Sequence, residues 1–398
     1  MNCLRHKYDT PLIDLGEVFF MLHKIVSLIL AVTLLSCSVI FVSAEEEGLV
    51  SAPSAVLMEA STGKILYEKN AHVQRPCASI TKVMTLILVF EAIDSGRLKL
   101  DNTITASEHA ASMGGSDIWL EPGEEMSADD MIKATVVASA NDAAVALAER
   151  VSGNEEAFVA QMNRRAGELG MRDTVFKNCN GLDEDGHITS AYDVAVMSRE
   201  LMKHKKIFDY TSIWLDNLRG GKTQIVNTNK LLKTYNGITG LKTGTTDDAG
   251  CCISATAERN NMSLIGVVLG ADSGKQRFAD AAKLLDYGFA NYAIKELKSP
   301  DDLPSSLKVK NGMSGSASIH CEINSNAVIN KASADEAEAE IDLPESLDAP
   351  VLEGEKIGVV VYKIGDETHE FPVISDDEIP KANYPLVLGR LFNSLLAL

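Results

Sequence analysis

The stretch Arg75-Pro76-Cys77-Ala78-Ser79-Ile80-Thr81-Lys82-Val83-Met84-Thr85 sets a serine and a lysine three residues apart at the head of an apolar run. The run continues through Leu86, Ile87, Val89, Phe90, Ala92 and Ile93. Being apolar nearly all round, it predicts a buried central helix over residues 79–93. Read alone, Ser79 is an N-cap and Lys82 an exposed stem. Positions i and i+3 share a helix face, however, so the Ser79 hydroxyl and the Lys82 amine can meet. An amine held in an apolar pocket beside another cation loses basicity and can take the serine's proton.

Outward from this helix, Val56-Leu57-Met58-Glu59 and Gly63-Lys64-Ile65-Leu66-Tyr67 predict a hairpin turning at Ser61-Thr62-Gly63. Residues 128–151 predict one or two helices. Residues 253–257 and 263–269 predict paired strands around an Arg259-Asn260-Asn261 turn, and residues 279–287 begin a closing helix. Strands at both ends with helices between imply a mixed α/β domain, a sheet covered by a helical region. From 294 to 380 the helical period vanishes, and short alternating runs predict a small β-rich domain. Within it, residues 335–355 hold nine acidic side chains and no basic one, the pattern of a solvated loop or edge.

Two more segments carry polar groups where packing alone would not place them. Val136-Val137-Ala138-Ser139-Ala140-Asn141-Asp142-Ala143-Ala144 sets Ser139 and Asn141 inside a small-residue helical stretch. There a serine can relay a proton and an asparagine can hold a substrate amide; a helix-junction cap is the alternative. Ile238-Thr239-Gly240-Leu241-Lys242-Thr243-Gly244-Thr245-Thr246-Asp247 reads as a sheet edge whose glycines permit close backbone approach. Lys242 can supply charge there and Thr243 can donate to a carboxylate; an edge lysine guarding the sheet is the alternative.

Together these segments give S-x-x-K, S-x-N and K-T-G in that order, a set that resembles the motifs of penicillin-binding proteins and serine β-lactamases. The wider wording resembles the low-molecular-mass D-alanyl-D-alanine carboxypeptidases more closely. It includes Lys242-Thr243-Gly244-x-Thr246-Asp247-x-Ala249-Gly250, Gly181-Leu182 with the later Thr189-Ser190-Ala191-x-Asp193, and Leu284-Leu285-Asp286-Tyr287-Gly288-Phe289. The resemblance implies a β-lactamase/transpeptidase-like catalytic domain, an antiparallel sheet plus a helical region, over 45–293. A β-rich domain over 294–380 would follow. It implies Ser79 as nucleophile, Lys82 as general base and Ser139 as proton relay. Asn141 would orient the substrate, and Lys242 would lower the basicity of Lys82. Lys242 and Thr243 would also hold the terminal carboxylate. Gly244 and Thr245 complete the substrate strand, with the Ser79 and Thr245 N–H groups as oxyanion hole. The implied substrate is the peptidoglycan stem peptide, β-lactams are the implied inhibitors, and no cofactor is required. Thr245 departs from the bulkier residue expected after the glycine, which alters pocket shape rather than chemistry.

The rest of the chain narrows the setting. Its 398 residues, 45% hydrophobic and 23% charged, fit an ordinary globular protein. The net charge of −19 repels phosphate backbones and excludes nucleic acid as a partner. Met21-Leu22-His23-Lys24, an apolar run to Val42 and Val42-Ser43-Ala44 read as a signal peptide over 1–44, so the chain is expected outside the cytoplasm. Five cysteines remain beyond it, Cys77, Cys179, Cys251, Cys252 and Cys321, with no disulfide or metal spacing. Most of them read as small buried hydrophobes. After Pro385, Leu388, Leu391, Phe392, Leu395 and Leu396 share one helical face, so residues 381–398 are expected to anchor at a membrane surface.

Three rivals remain in view. A serine β-lactamase shares the motifs but needs a glutamate-positioned water, and Glu155 and Glu156 read as helix-start residues instead. A non-catalytic penicillin-binding sensor conflicts with three intact motifs. Gly221-Lys222-Thr223 imitates the end of a phosphate loop, but Asp216 stands where the earlier glycine is required.

Overall fold

The computed structural model describes residues 48–392 apart from 324, 333–337, 366, 386, 390 and 391. The signal peptide expected over 1–44 lies outside the described residues, as does much of the expected terminal anchor.

Five strands form the central sheet in the order β2-β1-β9-β8-β7, antiparallel throughout. These are β1 (Ser54–Glu59), β2 (Ile65–Lys69), β7 (Ile238–Thr246), β8 (Gly250–Arg259) and β9 (Met262–Ala271). Two small hairpins, β3 (Thr103–Thr105) with β4 (Glu125–Ser127) and β5 (Leu215–Leu218) with β6 (Thr223–Val226), belong to the helical region. The period of two decides the layers. In β1, Ala55 and Leu57 face one core with the Gly274–Asn291 helix, while Val56 and Met58 face another with the helical region. All six β1 residues are buried, as a strand covered on both faces must be. The β8–β9 turn falls at Asn260 and Asn261, both left-handed (φ 51° and 61°). Tight two-residue hairpins favour asparagine for this reason.

The central helix differs from the expectation. It runs Lys82–Asp94, and Ser79 lies in a preceding 3₁₀ segment, Ala78–Thr81. Ala78 has φ 51°, which an α-helix cannot contain. Neighbouring backbones impose this bend. A Cβ on Gly181 (φ 88°) would lie 2.0 Å from the Ala78 carbonyl oxygen. Gly181→Ala is therefore expected to cost more than about 2 kcal/mol, from the left-handed backbone plus the clash. Equilibrium denaturation measures it. The closing helix is also longer than expected. It begins at Gly274, and the Ser273 hydroxyl accepts from Gln276 N at 3.1 Å.

From Tyr292 to Ser375 the elements among the described residues are all strands, as the lost helical period predicted. They are β10 (Tyr292–Leu297), β11 (Ser306–Lys310), β12 (Ser316–His320), β13 (Ser325–Asn330), β14 (Glu338–Asp342), β15 (Ser346–Asp348), β16 (Lys356–Ile364) and β17 (Glu367–Ser375). The larger sheet runs β14-β16-β17-β12-β11-β15, and β10 pairs with β13. Both edges of the larger sheet, β14 and β15, come from the acidic stretch 335–355. Charge on an edge strand discourages pairing with another chain.

Candidate active site

Three elements converge on Ser79. The 3₁₀ geometry, at three residues per turn, stacks Ser79 directly beneath Lys82. Lys82 Nζ donates to Ser79 Oγ at 2.9 Å, to Asn141 Oδ1 at 2.6 Å and to the Asn180 carbonyl at 2.6 Å. Lys82 is fully buried, whereas Ser79 is half-buried and reachable. Burial lowers the Lys82 amine to about 7, even though Asp117 and Asp142 pull the other way. Desolvation is thus the first cause of its weak basicity, as expected of an amine held in an apolar pocket.

The second element is the junction between the Ala134–Ala138 π-turn and the Asn141–Ser152 helix. Ser139 sits there with φ 62°, and its strained backbone turns the hydroxyl towards the sheet. Lys242 Nζ donates to Ser139 Oγ at 2.8 Å and to its neighbour's carbonyl, Thr243 O, at 2.9 Å. Asn141 is engaged at both ends of its amide, by Lys82 and by Gly114 O at 2.6 Å. One N–H of that amide remains for a ligand. Asp142 follows it, buried, and accepts from Ile118 N and Leu120 N at 3.1 and 3.0 Å. That carboxylate ties the 114–120 loop to the site.

The third element is β7, the free edge of the central sheet. It carries Lys242, buried, whose basicity falls through desolvation and repulsion by Lys82 and Arg277. Gly244 approaches so closely that a Cβ there would meet Cys77 O at 2.8 Å and Ser79 N at 2.9 Å. Thr243 Oγ1 donates to Thr228 Oγ1 at 2.6 Å, and Thr245 is exposed at the strand end.

The eight residues singled out in the sequence therefore fall into three adjoining hydrogen-bonded groups: Ser79, Lys82 and Asn141; Ser139, Lys242 and Thr243; and Gly244 and Thr245, which Arg277 joins. Three members escaped sequence reasoning: Asn180, Thr228 and Arg277. Arg277 Nη1 donates to Gly244 O at 2.8 Å and Thr245 Oγ1 at 2.7 Å, and its Nε is buried without a partner. Its one available signal was a position in the first turn of the closing helix, which began later in the sequence reading. Cys77, Cys179 and Cys252 are buried free thiols. Burial raises Cys77 to about 11 and Cys252 to about 12, so they pack as thiols. Among the described residues no group of His, Cys, Asp and Glu side chains could hold a metal ion. Glu155, the rival deacylation base, is occupied: it accepts from Cys179 N at 3.0 Å and pairs with His109 at 2.7 Å.

Comparison with known proteins agrees with this geometry. A family described as D-alanyl-D-alanine carboxypeptidase, peptidase family S11, matches residues 41–273. The C-terminal domain of penicillin-binding protein 5 matches residues 292–381. D-alanyl-D-alanine carboxypeptidase DacF of Bacillus subtilis is 42% identical over 348 residues, covering 85% of this chain and 88% of the relative. DacC of Escherichia coli is 30% identical over 364 residues, covering 88% and 90%. Penicillin-binding protein 5 from Haemophilus influenzae superposes with a TM-score of 0.73 at 29% identity, over 83% of this chain and 98% of that one. Penicillin-binding protein D2 from Listeria monocytogenes, solved in an ampicillin-bound form, superposes with a TM-score of 0.53 at 35% identity, over 60% and 98%. With the serine–lysine cluster in place and this likeness across both halves, the chain belongs to the D-alanyl-D-alanine carboxypeptidase family of serine hydrolases.

Proposed function

We propose that the protein removes the terminal D-alanine from peptidoglycan stem pentapeptides through an acyl-enzyme on Ser79. The observation that carries this reading is the set of partners around Lys82 Nζ. Two of its three contacts, Asn141 Oδ1 and Asn180 O, are carbonyl oxygens that only accept. The ammonium donates to all three contacts; the neutral amine spends both N–H bonds on these two, and the 2.9 Å contact with Ser79 Oγ reverses, the lone pair now facing the hydroxyl.

Ser79 Oγ then attacks the penultimate D-alanine carbonyl carbon as its proton passes to Lys82 Nζ. The carbonyl oxygen becomes an oxyanion facing the N–H groups of Ser79 and Thr245. Collapse breaks the peptide bond, and the proton returns through Ser139 to the departing D-alanine amine. Water, deprotonated by the same lysine, cleaves the Ser79 ester and restores the enzyme. Lys242, Thr243 and Arg277 form the cationic rim that receives the terminal carboxylate, while Asn141 holds the substrate amide. Arg277→Met should raise KM for a D-Ala-D-Ala peptide by roughly tenfold to a hundredfold and change kcat little. A charge-assisted hydrogen bond is worth about 1.5–3 kcal/mol. Steady-state kinetics on the peptide separate the two constants.

The chain divides on this reading into a signal peptide over 1–44, a catalytic domain over 45–293, a β-rich domain over 294–380 and a membrane-associating helix over 381–398. The protein then works on the outer side of the cytoplasmic membrane. Exposed Tyr384, Val387, Leu388 and Phe392 support surface attachment. No helix among the described residues is long and apolar enough to cross a membrane. A β-lactam imitates the D-Ala-D-Ala terminus and should acylate Ser79. Fluorescent penicillin should label the protein persistently at Ser79, and rapid turnover of the label would instead mark a β-lactamase.

A further inference from the structure

His187 is the buried histidine behind the active site, 4% exposed, in the segment between Gly181 and the Ala191–Leu201 helix. Its two ring nitrogens have different partners, and these fix the tautomer. Lys177 N donates to His187 Nδ1 at 3.1 Å, and a backbone N–H can do nothing else. Nδ1 is therefore bare and Nε2 carries the hydrogen, directed at Thr81 Oγ1, 2.7 Å away. Thr81 Oγ1 in turn donates to the Ala78 carbonyl at 2.9 Å. Every bond in this series points the same way, from Lys177 N to Ala78 O.

The end point matters for chemistry. Ala78 O and Ser79 N–H belong to one planar peptide group, so fixing the oxygen fixes the direction of the N–H. That N–H is the donor assigned above to the oxyanion. Ala78 is left-handed and crowded by Gly181 and Gly244, so its peptide plane is held against local preference.

We infer that His187 is a positioning residue, which acts through the Thr81 hydroxyl to aim the Ser79 N–H at the oxyanion. The surroundings keep the ring in the required form. Burial lowers His187 to about 4, with Asp183 and Glu184 opposing weakly and Lys177 assisting. The Cys77 thiol, 3.4 Å from Thr81 Oγ1, is kept protonated by its own burial. Protonation of Nδ1 would set two donors against each other at Lys177 N.

This inference rests on the acyl-enzyme reading, and its test uses acylation by fluorescent penicillin rather than D-alanine release. An enzyme that acylates but releases no D-alanine would refute the carboxypeptidase reading and leave this test intact. Thr81→Val and His187→Phe should each slow acylation about tenfold or more, a part of the 10²–10³ that an oxyanion donor supplies. The double variant should be no slower than the worse single one. Thr81→Ser and His187→Gln, which keep the donor and acceptor, should stay within about threefold of the parent. The affinity for penicillin before acylation should not move. Acylation by Thr81→Val at the parent rate, or multiplying losses in the double variant, would overturn the proposal. Should the variants fail to fold, imidazole ¹⁵N resonances of the unaltered protein decide it. A hydrogen on Nε2 is required, and one on Nδ1 refutes the series.

Discussion

Ser79→Ala should abolish penicillin labelling and lower D-alanine release by roughly 10⁴-fold or more, the scale seen when a serine nucleophile is removed. Ser79 is half-buried and reachable, and Lys82 and Lys242 are buried beside it. Loss of the hydroxyl leaves no oxygen to carry the acyl group. The fold should be spared. The Ser79 hydroxyl meets Lys82, which keeps Asn141 Oδ1 and the Asn180 carbonyl as acceptors after the change. The free energy of unfolding should therefore change by no more than about 1 kcal/mol. Labelling that survives in a folded Ser79→Ala protein would place the nucleophile elsewhere.

Lys82→Met should lower kcat/KM by about 10³-fold, within the 10²–10⁴ range for loss of a general base. Methionine matches the lysine stem in length and carries no proton acceptor. Some stability should go as well, because the Asn141 and Asn180 oxygens lose a buried donor. The parent enzyme carries a matching signature in pH. Lys82 must be neutral to accept the Ser79 proton, and burial sets its midpoint at about 7. Below that midpoint the amine is protonated and log(kcat/KM) should fall with unit slope; above it the rate should level. An acid limb near 4 would assign the base to a carboxylate, and the limb should vanish in the residual rate of Lys82→Met.

Much of this was legible in the sequence because it is local. The β1–β2 hairpin followed from two short apolar runs flanking Ser61-Thr62-Gly63, and the β8–β9 turn from two adjacent asparagines. The serine–lysine pair followed from a spacing that works in an α-helix and better in a 3₁₀ turn. What stayed hidden is what distant chain brings together. Asn180 reaches Lys82 across 98 residues, and Arg277 reaches Gly244 across 33. Neither lies in a motif. The left-handed Ala78 was hidden too, because alanine carries no local signal for that conformation and the Gly181 and Gly244 backbones impose it. The balance between the two expected causes of the lysine's weak basicity, burial and a neighbouring cation, was hidden for a related reason. Charge can be counted in a sequence, whereas full burial of Lys82 belongs to the assembled core.

On the proposed mechanism a half-buried serine, deprotonated by a buried neutral lysine, cleaves a D-Ala-D-Ala bond. Its most direct test is the release of free D-alanine from a stem pentapeptide ending in D-Ala-D-Ala, followed in parallel with Ser79→Ala. The parent should release one D-alanine for each pentapeptide consumed and leave a tetrapeptide, and release by the variant should fall by roughly 10⁴-fold or more. A folded parent that binds penicillin at Ser79 yet leaves the pentapeptide intact would contradict it.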